Sequence, residues 1–369
     1  METVRNLTLD RSISRRLYGL RGAAILLVLW DHYAATPLPL HLGPVAVRLF
    51  FVLTGFHITL SFWKAREEEK SPTGHGSVWQ TLKAFYLKRF VRIAPLFYGC
   101  LLLGALVKLP EARKSLGWDC LFLTNFHTVH EGDWPVATAH FWSLAVQEQF
   151  YLLWPFVLLL ACRRWFTATV ALSVAGSLFF RWYCDVHAVS PLCKWLLLPG
   201  CWDSFMGGAV LAHLYARGVE RPLHLGLPGW LRPCLRGGAW IALPFAAALW
   251  IEATPALAPW AFLCETLEAV SLAAATWYVF TGLGALGNGV LENRHLVEVG
   301  KASYALYVFQ AFLYFWVWHK VTKHYSAHLT PFVATCTFIA LTALGVAFLA
   351  RIQEWGLFVE RRVLRPLFA

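Results

Sequence analysis

Charge is scarce in this chain. Asp, Glu, Lys and Arg make up only 14% of its 369 residues, whereas apolar residues make up 58%. Soluble domains are about a quarter charged, so this composition excludes an ordinary soluble globular protein. Acids are rarer than bases, 21 against 32. With so little polar sequence, the surplus cations suit juxtamembrane anchoring, and nucleic acid is not an expected partner. Nine cysteines occur, without C-x-x-C or metal-ligand spacing. Those in apolar runs, such as Cys100 and Cys264, read as small core residues. A disulfide between Cys184 and Cys193 is left open. The absence of a repeat at a period of about 20–50 residues excludes a solenoid. No small-residue cleavage site follows the first apolar stretch, which therefore reads as a retained helix.

What the chain does have is a succession of apolar runs long enough to cross a bilayer. At about 17–25 residues per span, ten helices are expected, near 17–35, 44–63, 86–107, 141–161, 165–184, 195–215, 239–253, 260–284, 299–319 and 330–350. The expected fold is all-α, a polytopic integral membrane protein with both termini cytoplasmic. A cytoplasmic segment (1–16) precedes one transmembrane domain (17–355), and a basic tail (356–369) follows it. With the N-terminus inside, twenty-one Lys and Arg residues fall in inner segments and six in outer ones. That bias sets the orientation. The inner (plasma) membrane is the expected location.

Ionisable groups at bilayer depth are expensive and read by default as functional. The first span carries Arg21 and His32, eleven positions apart. On a helix this puts them within about 20° of one face and roughly 16 Å apart along the axis. Arg21 then lies near the cytoplasmic side and His32 in the outer third. The fourth span starts after His140 and carries Glu148 roughly 10 Å from its outer edge, near the level of His32. An imidazole and a carboxylate at one depth suit a general base and the group that orients it. In the third span Arg89 and Arg92, at i and i+3, share a face at the inner boundary beside Lys88. Near Arg21 they would suit a phosphate-rich ligand arriving from the cytoplasm. Lys88 reads rather as an anchor.

Other polar positions have simpler readings. Ser143 and Gln147, at i and i+4, are expected to hydrogen-bond between helices. Gly207 and Gly208 are expected to permit close helix packing. Asp31 points about 100° away from His32, toward water or another helix. His127, His130 and His140 surround the start of the fourth span, but no fourth ligand accompanies them, and no metal is expected.

Five segments together resemble the bacterial acyltransferase family 3 of membrane-bound O-acyltransferases. They are LYGLRGAAILLVLWDH (Leu17–His32), VRLFFVLTGFHIT (Val47–Thr59), RFVR (Arg89–Arg92), HFWSLAVQEQFYLLWP (His140–Pro155) and VGKASYALYVFQ (Val299–Gln310). The resemblance implies transfer of an acyl group, usually acetyl, from cytoplasmic acyl-CoA to a hydroxyl of a saccharide, lipid-linked sugar or small acceptor. It implies His32 as the catalytic group, and Arg21, Arg89 and Arg92 as donor-binding or structural arginines. No permanently bound cofactor is implied. The chain departs from the family pattern at Gln147, where an acid is usual, at Thr54, where Ser is usual, and at Gln310, where His is usual. Gln147 can hydrogen-bond but cannot take a proton at neutral pH, so any carboxylate role falls to Glu148. A transporter or flippase, with buried charges marking a translocation path, is the alternative; it would carry internal repeats. A polytopic assembly protein without catalysis is a further one.

Overall fold

The computed structural model describes residues 9–33, 42–69, 77–109, 111–218, 239–281 and 284–322, with single positions at 340, 343 and 345. Every regular element among them is helical. In chain order these are α1 (Arg11–Tyr33), α2 (Leu42–Glu69), α3 (Val78–Leu106), the short α4 (Leu116–Cys120) and α5 (Thr124–Glu131), α6 (Phe141–Leu160) and α7 (Cys162–Val186). There follow α8 (Pro191–Leu196), α9 (Leu198–Ala216), α10 (Ala239–Ala253), a 3-10 stretch (Pro255–Leu263), α11 (Cys264–Thr281), α12 (Gly284–Leu291) and α13 (Arg294–Thr322). Helices overlap each of the first nine expected spans, but the sixth is divided between α8 and α9 and the eighth between the 3-10 stretch, α11 and α12. The tenth span and the basic tail lie outside the described residues. Among the described residues, four stretches are long and apolar enough to cross a membrane: Leu42–Glu67, Val78–Leu106, Phe141–Leu160 and Pro255–Phe280. Helix α10 has 15 residues, short of a full crossing.

Helix α3 begins eight residues before its apolar run because a capping box starts it. The Gln80 amide donates to Ser77 Oγ at 3.3 Å, and the Ser77 amide donates to Gln80 Oε1 at 2.7 Å. Two backbone donors that a helix start leaves orphaned are thereby satisfied. Cys184 and Cys193 both carry free thiols.

The chain divides into two compact units that interleave in sequence. One comprises Tyr18–Ala46, Ala65–Ala145 and Leu291–Ala369. Its core joins Ile93, Phe97, Cys100 and Leu101 of α3 to Phe141 and Leu144 of α6 and Val308 of α13. Phe97 stacks on Phe122 at 4.5 Å and meets Phe141 edge-on at 5.0 Å, the geometries that ring quadrupoles favour. Tyr304 Oη donates to the Ile93 carbonyl at 3.1 Å. In this unit α1 and α13 touch backbone to backbone. A Cβ at Gly22 would collide with the Leu296 carbonyl, and one at Gly300 with the Tyr18 carbonyl. A Cβ at Gly19 would meet the Leu291 carbonyl, just before α13 begins, while Arg21 further along α1 reaches Ser303 further along α13, so the two helices run in the same direction. Small residues at such a contact let helices approach where lipid offers no hydrophobic drive for association.

The second unit comprises Met1–Leu17, Val47–Lys64 and Val146–Val290. Phe205 of α9 stacks on Phe51 at 4.7 Å and on Phe150 at 4.1 Å. Gly208 lies against the Val52 carbonyl, the close packing expected of the Gly207–Gly208 pair. Arg181 of α7 is fully buried and ties its helix to three other elements. Its guanidinium donates to the carbonyls of Phe262 (3.0 Å) and Gly200 (2.7 Å), to Asp203 Oδ2 (2.8 Å) and to Thr266 Oγ1 (2.5 Å). Arg48 of α2 pairs with Glu268 at 3.2 Å and Glu265 at 3.8 Å. Buried charges persist when paired and hydrogen-bonded in this way.

Replacing Gly300 by Val should force α1 and α13 apart and destabilise the protein by about 3 kcal/mol or more, since an overpacked backbone contact has no side chain to yield. Thermal melting in detergent would show it as a lowered midpoint, and Gly289→Val, whose Cβ meets nothing within 4 Å, should leave the midpoint in place.

Candidate active site

The structure gives Arg21 a defined partner. Its Nη2 donates to Ser303 Oγ at 3.0 Å, and its Nε lies 3.3 Å from the same oxygen. This clamp follows directly from the glycine contact one turn earlier, which brings α13 close enough for a serine to reach the guanidinium. Ser303 was not singled out from the sequence. A serine in an apolar run signals nothing alone, although the Gly300-x-x-Ser303 spacing puts both residues on one face of a helix.

His32 lies in the last turn of α1 and is exposed. Its Nδ1 sits 2.6 Å from the Val28 carbonyl, one turn back. A carbonyl can only accept, so Nδ1 carries the hydrogen and Nε2 keeps the lone pair of the neutral ring. The basic nitrogen is thereby assigned by the backbone of its own helix. Asp31 does not share this task; its carboxylate packs against Gly43 at the start of α2, in keeping with the helical angle between the two residues.

His140, immediately before α6, belongs to the same unit and is buried. Its Nε2 donates to the Val308 carbonyl at 3.3 Å. Tyr307 Oη donates to the His140 carbonyl at 2.6 Å and lies 2.6 Å from Ser143 Oγ. These contacts pin the start of α6 to α13. Burial above all, and then the nearby His32 imidazole, hold the His140 imidazole well below the ordinary histidine range, to about 3, against the Val308 carbonyl, which favours the protonated form. His140 is therefore a neutral structural histidine. Ser143 meets the expectation of an interhelical hydrogen bond.

Gln147 meets it too, in the other unit. Thr54 Oγ1 donates to Gln147 Oε1 at 3.4 Å. Two of the three positions at which the chain departs from the family pattern thus contact each other, a neutral pair in place of a hydroxyl and an acid. Glu148 is half-buried on this part of α6. His32 and Glu148 fall in different units, and their pairing remains a proposal.

On α3 Arg89 is half-buried, while Arg92 and Lys88 are exposed. Three residues further along the helix, Arg92 lies deeper than Arg89 by helical rise. Coverage by neighbours depends on azimuth instead, and it favours Arg89. His127 and His130 stack on Trp118 at 5.6 and 6.4 Å. Among the described residues, no three His, Cys, Asp or Glu side chains converge as a metal site.

A helical protein with membrane-length apolar helices, an Arg–Ser clamp and a tautomer-fixed histidine on one helix is the class these observations define. The family follows from comparison with known sequences. A family model described as an acyltransferase domain (acyltransferase 3) matches residues 15–351; the chain belongs to that family, as its five motifs implied. Among curated proteins it is similar to the peptidoglycan O-acetyltransferase OatA of Listeria monocytogenes serovar 1/2a, 32% identical over 134 residues, covering 32% of this chain and 20% of that protein. It is also similar to an uncharacterized protein of Haemophilus influenzae, 29% identical over 147 residues, covering 36% of this chain and 56% of that one. The matched stretches thus span a fifth and about half of those relatives. No solved structure matches.

Because the His140 ring stays neutral when folded but takes a proton when unfolded, its contribution to stability is complete above the ordinary value of 6.5 and is lost as pH falls toward 3. Detergent-solubilised wild type should therefore melt progressively lower between about pH 6.5 and pH 4. His140→Gln, which keeps a donor for the Val308 carbonyl, should flatten that acid limb. An unchanged slope would show that other groups set it.

Proposed function

We propose that the protein is a multi-pass O-acyltransferase of the inner membrane that moves an acetyl group from cytoplasmic acyl-CoA to a hydroxyl of a cell-surface saccharide. Membership of the acyltransferase family carries this reading, and OatA, whose name describes O-acetylation of peptidoglycan, supports a polysaccharide acceptor. Ten crossings with both termini cytoplasmic complete the proposal. The parallel α1 and α13 agree with it, since they correspond to the first and ninth spans.

In this reading Arg21, Arg89 and Arg92 hold the donor's phosphates at the inner side. The thioester extends along α1 toward His32. There Nε2 takes the proton from the acceptor hydroxyl as its oxygen attacks the thioester carbonyl. Collapse of the tetrahedral intermediate forms the ester and expels the CoA thiolate, which recovers a proton from the imidazolium. Glu148 orients or tunes the imidazole. One domain over 17–355, with a short basic tail, holds all of these parts.

His32→Ala should lower acetyl transfer from labelled acetyl-CoA to the glycan at least about a hundredfold, the ordinary contribution of a general base, with membrane insertion and melting preserved. A well-folded His32→Ala protein of normal activity would remove the histidine from the mechanism. Arg89→Gln combined with Arg92→Gln should weaken CoA binding in detergent by roughly tenfold or more; unchanged affinity would remove both arginines from the donor site.

A further inference from the structure

Gln310 is fully buried on α13, yet among the described residues neither its Oε1 nor its Nε2 has a hydrogen-bond partner. A buried amide left unpaired is costly, and protein interiors pair nearly all such groups. Its place in the fold supplies the explanation. Gln310 lies seven residues beyond Ser303, so it projects within about 20° of the face that Ser303 turns toward Arg21, and about 10 Å further along the helix. Because α1 and α13 run in parallel, that step leads from the level of Arg21 toward the level of His32. The other contacts of α13 leave at different angles: Tyr304 and Val308 toward α3, and Tyr307 toward α6. The unpaired amide therefore belongs to the stretch between the cation that would meet the donor's phosphates and the imidazole that would meet its thioester.

The group that fits there must both donate and accept at one place, and it must be neutral. A carboxylate or an ammonium would leave one of the two amide atoms unsatisfied, and each would bring a charge into an apolar setting. A second amide satisfies both at once, its N–H on Oε1 and its carbonyl on Nε2. The pantetheine arm of coenzyme A carries two secondary amides between pyrophosphate and thiol. We infer that Gln310 is the positioning residue that takes an amide of the donor's pantetheine arm and so sets the reach of the thioester toward His32. This rests on the acyl-CoA reading above and adds to it the residue that recognises the arm rather than the phosphates. It also accounts for a glutamine at a place where the family usually carries histidine, since an amide partner needs a donor and an acceptor but no proton transfer.

The test is binding of CoA and of adenosine 3′,5′-bisphosphate, which carries phosphates but no pantetheine, to full-length protein in detergent by calorimetry. Gln310→Leu and the near-isosteric Gln310→Met should weaken CoA by roughly tenfold, the loss of paired hydrogen bonds at a buried site, and leave the bisphosphate within about twofold. Both variants should melt at or above the wild-type temperature, because they remove a buried group that the free protein leaves unpaired. Unchanged CoA affinity, equal weakening of both ligands, or a lowered melting temperature in both variants would each overturn the assignment. Wild-type protein that binds neither ligand would overturn the acyl-CoA reading itself, and the assignment with it.

Discussion

Backbone contact between α1 and α13 sets the geometry of the proposed donor path. In lipid, helices gain nothing by hiding apolar side chains from one another, so association depends on close approach and on polar groups that find partners across the gap. Gly22 and Gly300 bring the two backbones together. The Arg21–Ser303 hydrogen bond forms at that point of closest approach. From there, by helical angle and rise, His32 continues the face of Arg21 and Gln310 the face of Ser303. A guanidinium so held loses little freedom when it meets an anion, which is how a fixed site gains affinity over a mobile one.

Buried and exposed polar groups serve visibly different ends. Arg181 spends its donors on two carbonyls, a carboxylate and a hydroxyl, and it is wholly enclosed. Such an arginine holds elements together and has nothing left for a ligand. His140 behaves likewise: burial keeps it neutral, and its hydrogen bond to Val308 fixes the start of α6. His32 is instead exposed at a helix end, with its tautomer set by the Val28 carbonyl. The same residue type thus meets opposite surroundings a short distance apart.

Much of the architecture was legible in the residues. Hydropathy is a local property, and helices overlap each of the first nine expected spans, two of them in more than one piece. Where the reading missed, as at the start of α3, a polar capping box extended the helix beyond its apolar run. The candidate site was legible in its residue types and in the face shared by Arg21 and His32. Its partners were not. Ser303, Val308 and Tyr307 are unremarkable in sequence and matter only because three helices converge on them. Relative coverage of Arg89 and Arg92 was also out of reach, because rise along a helix says nothing of which neighbour stands opposite.

From the sequence alone came the medium in which the chain lives, the run of its helices and the family to which its motifs point, because each depends on composition or on spacing within a segment. Only the tertiary structure decided which polar groups are spent on holding helices together and which are left over. That division depends on contacts between residues hundreds of positions apart, such as Arg21 with Ser303 and His140 with Val308. Spacing within one helix cannot encode them; the approach of a second backbone does.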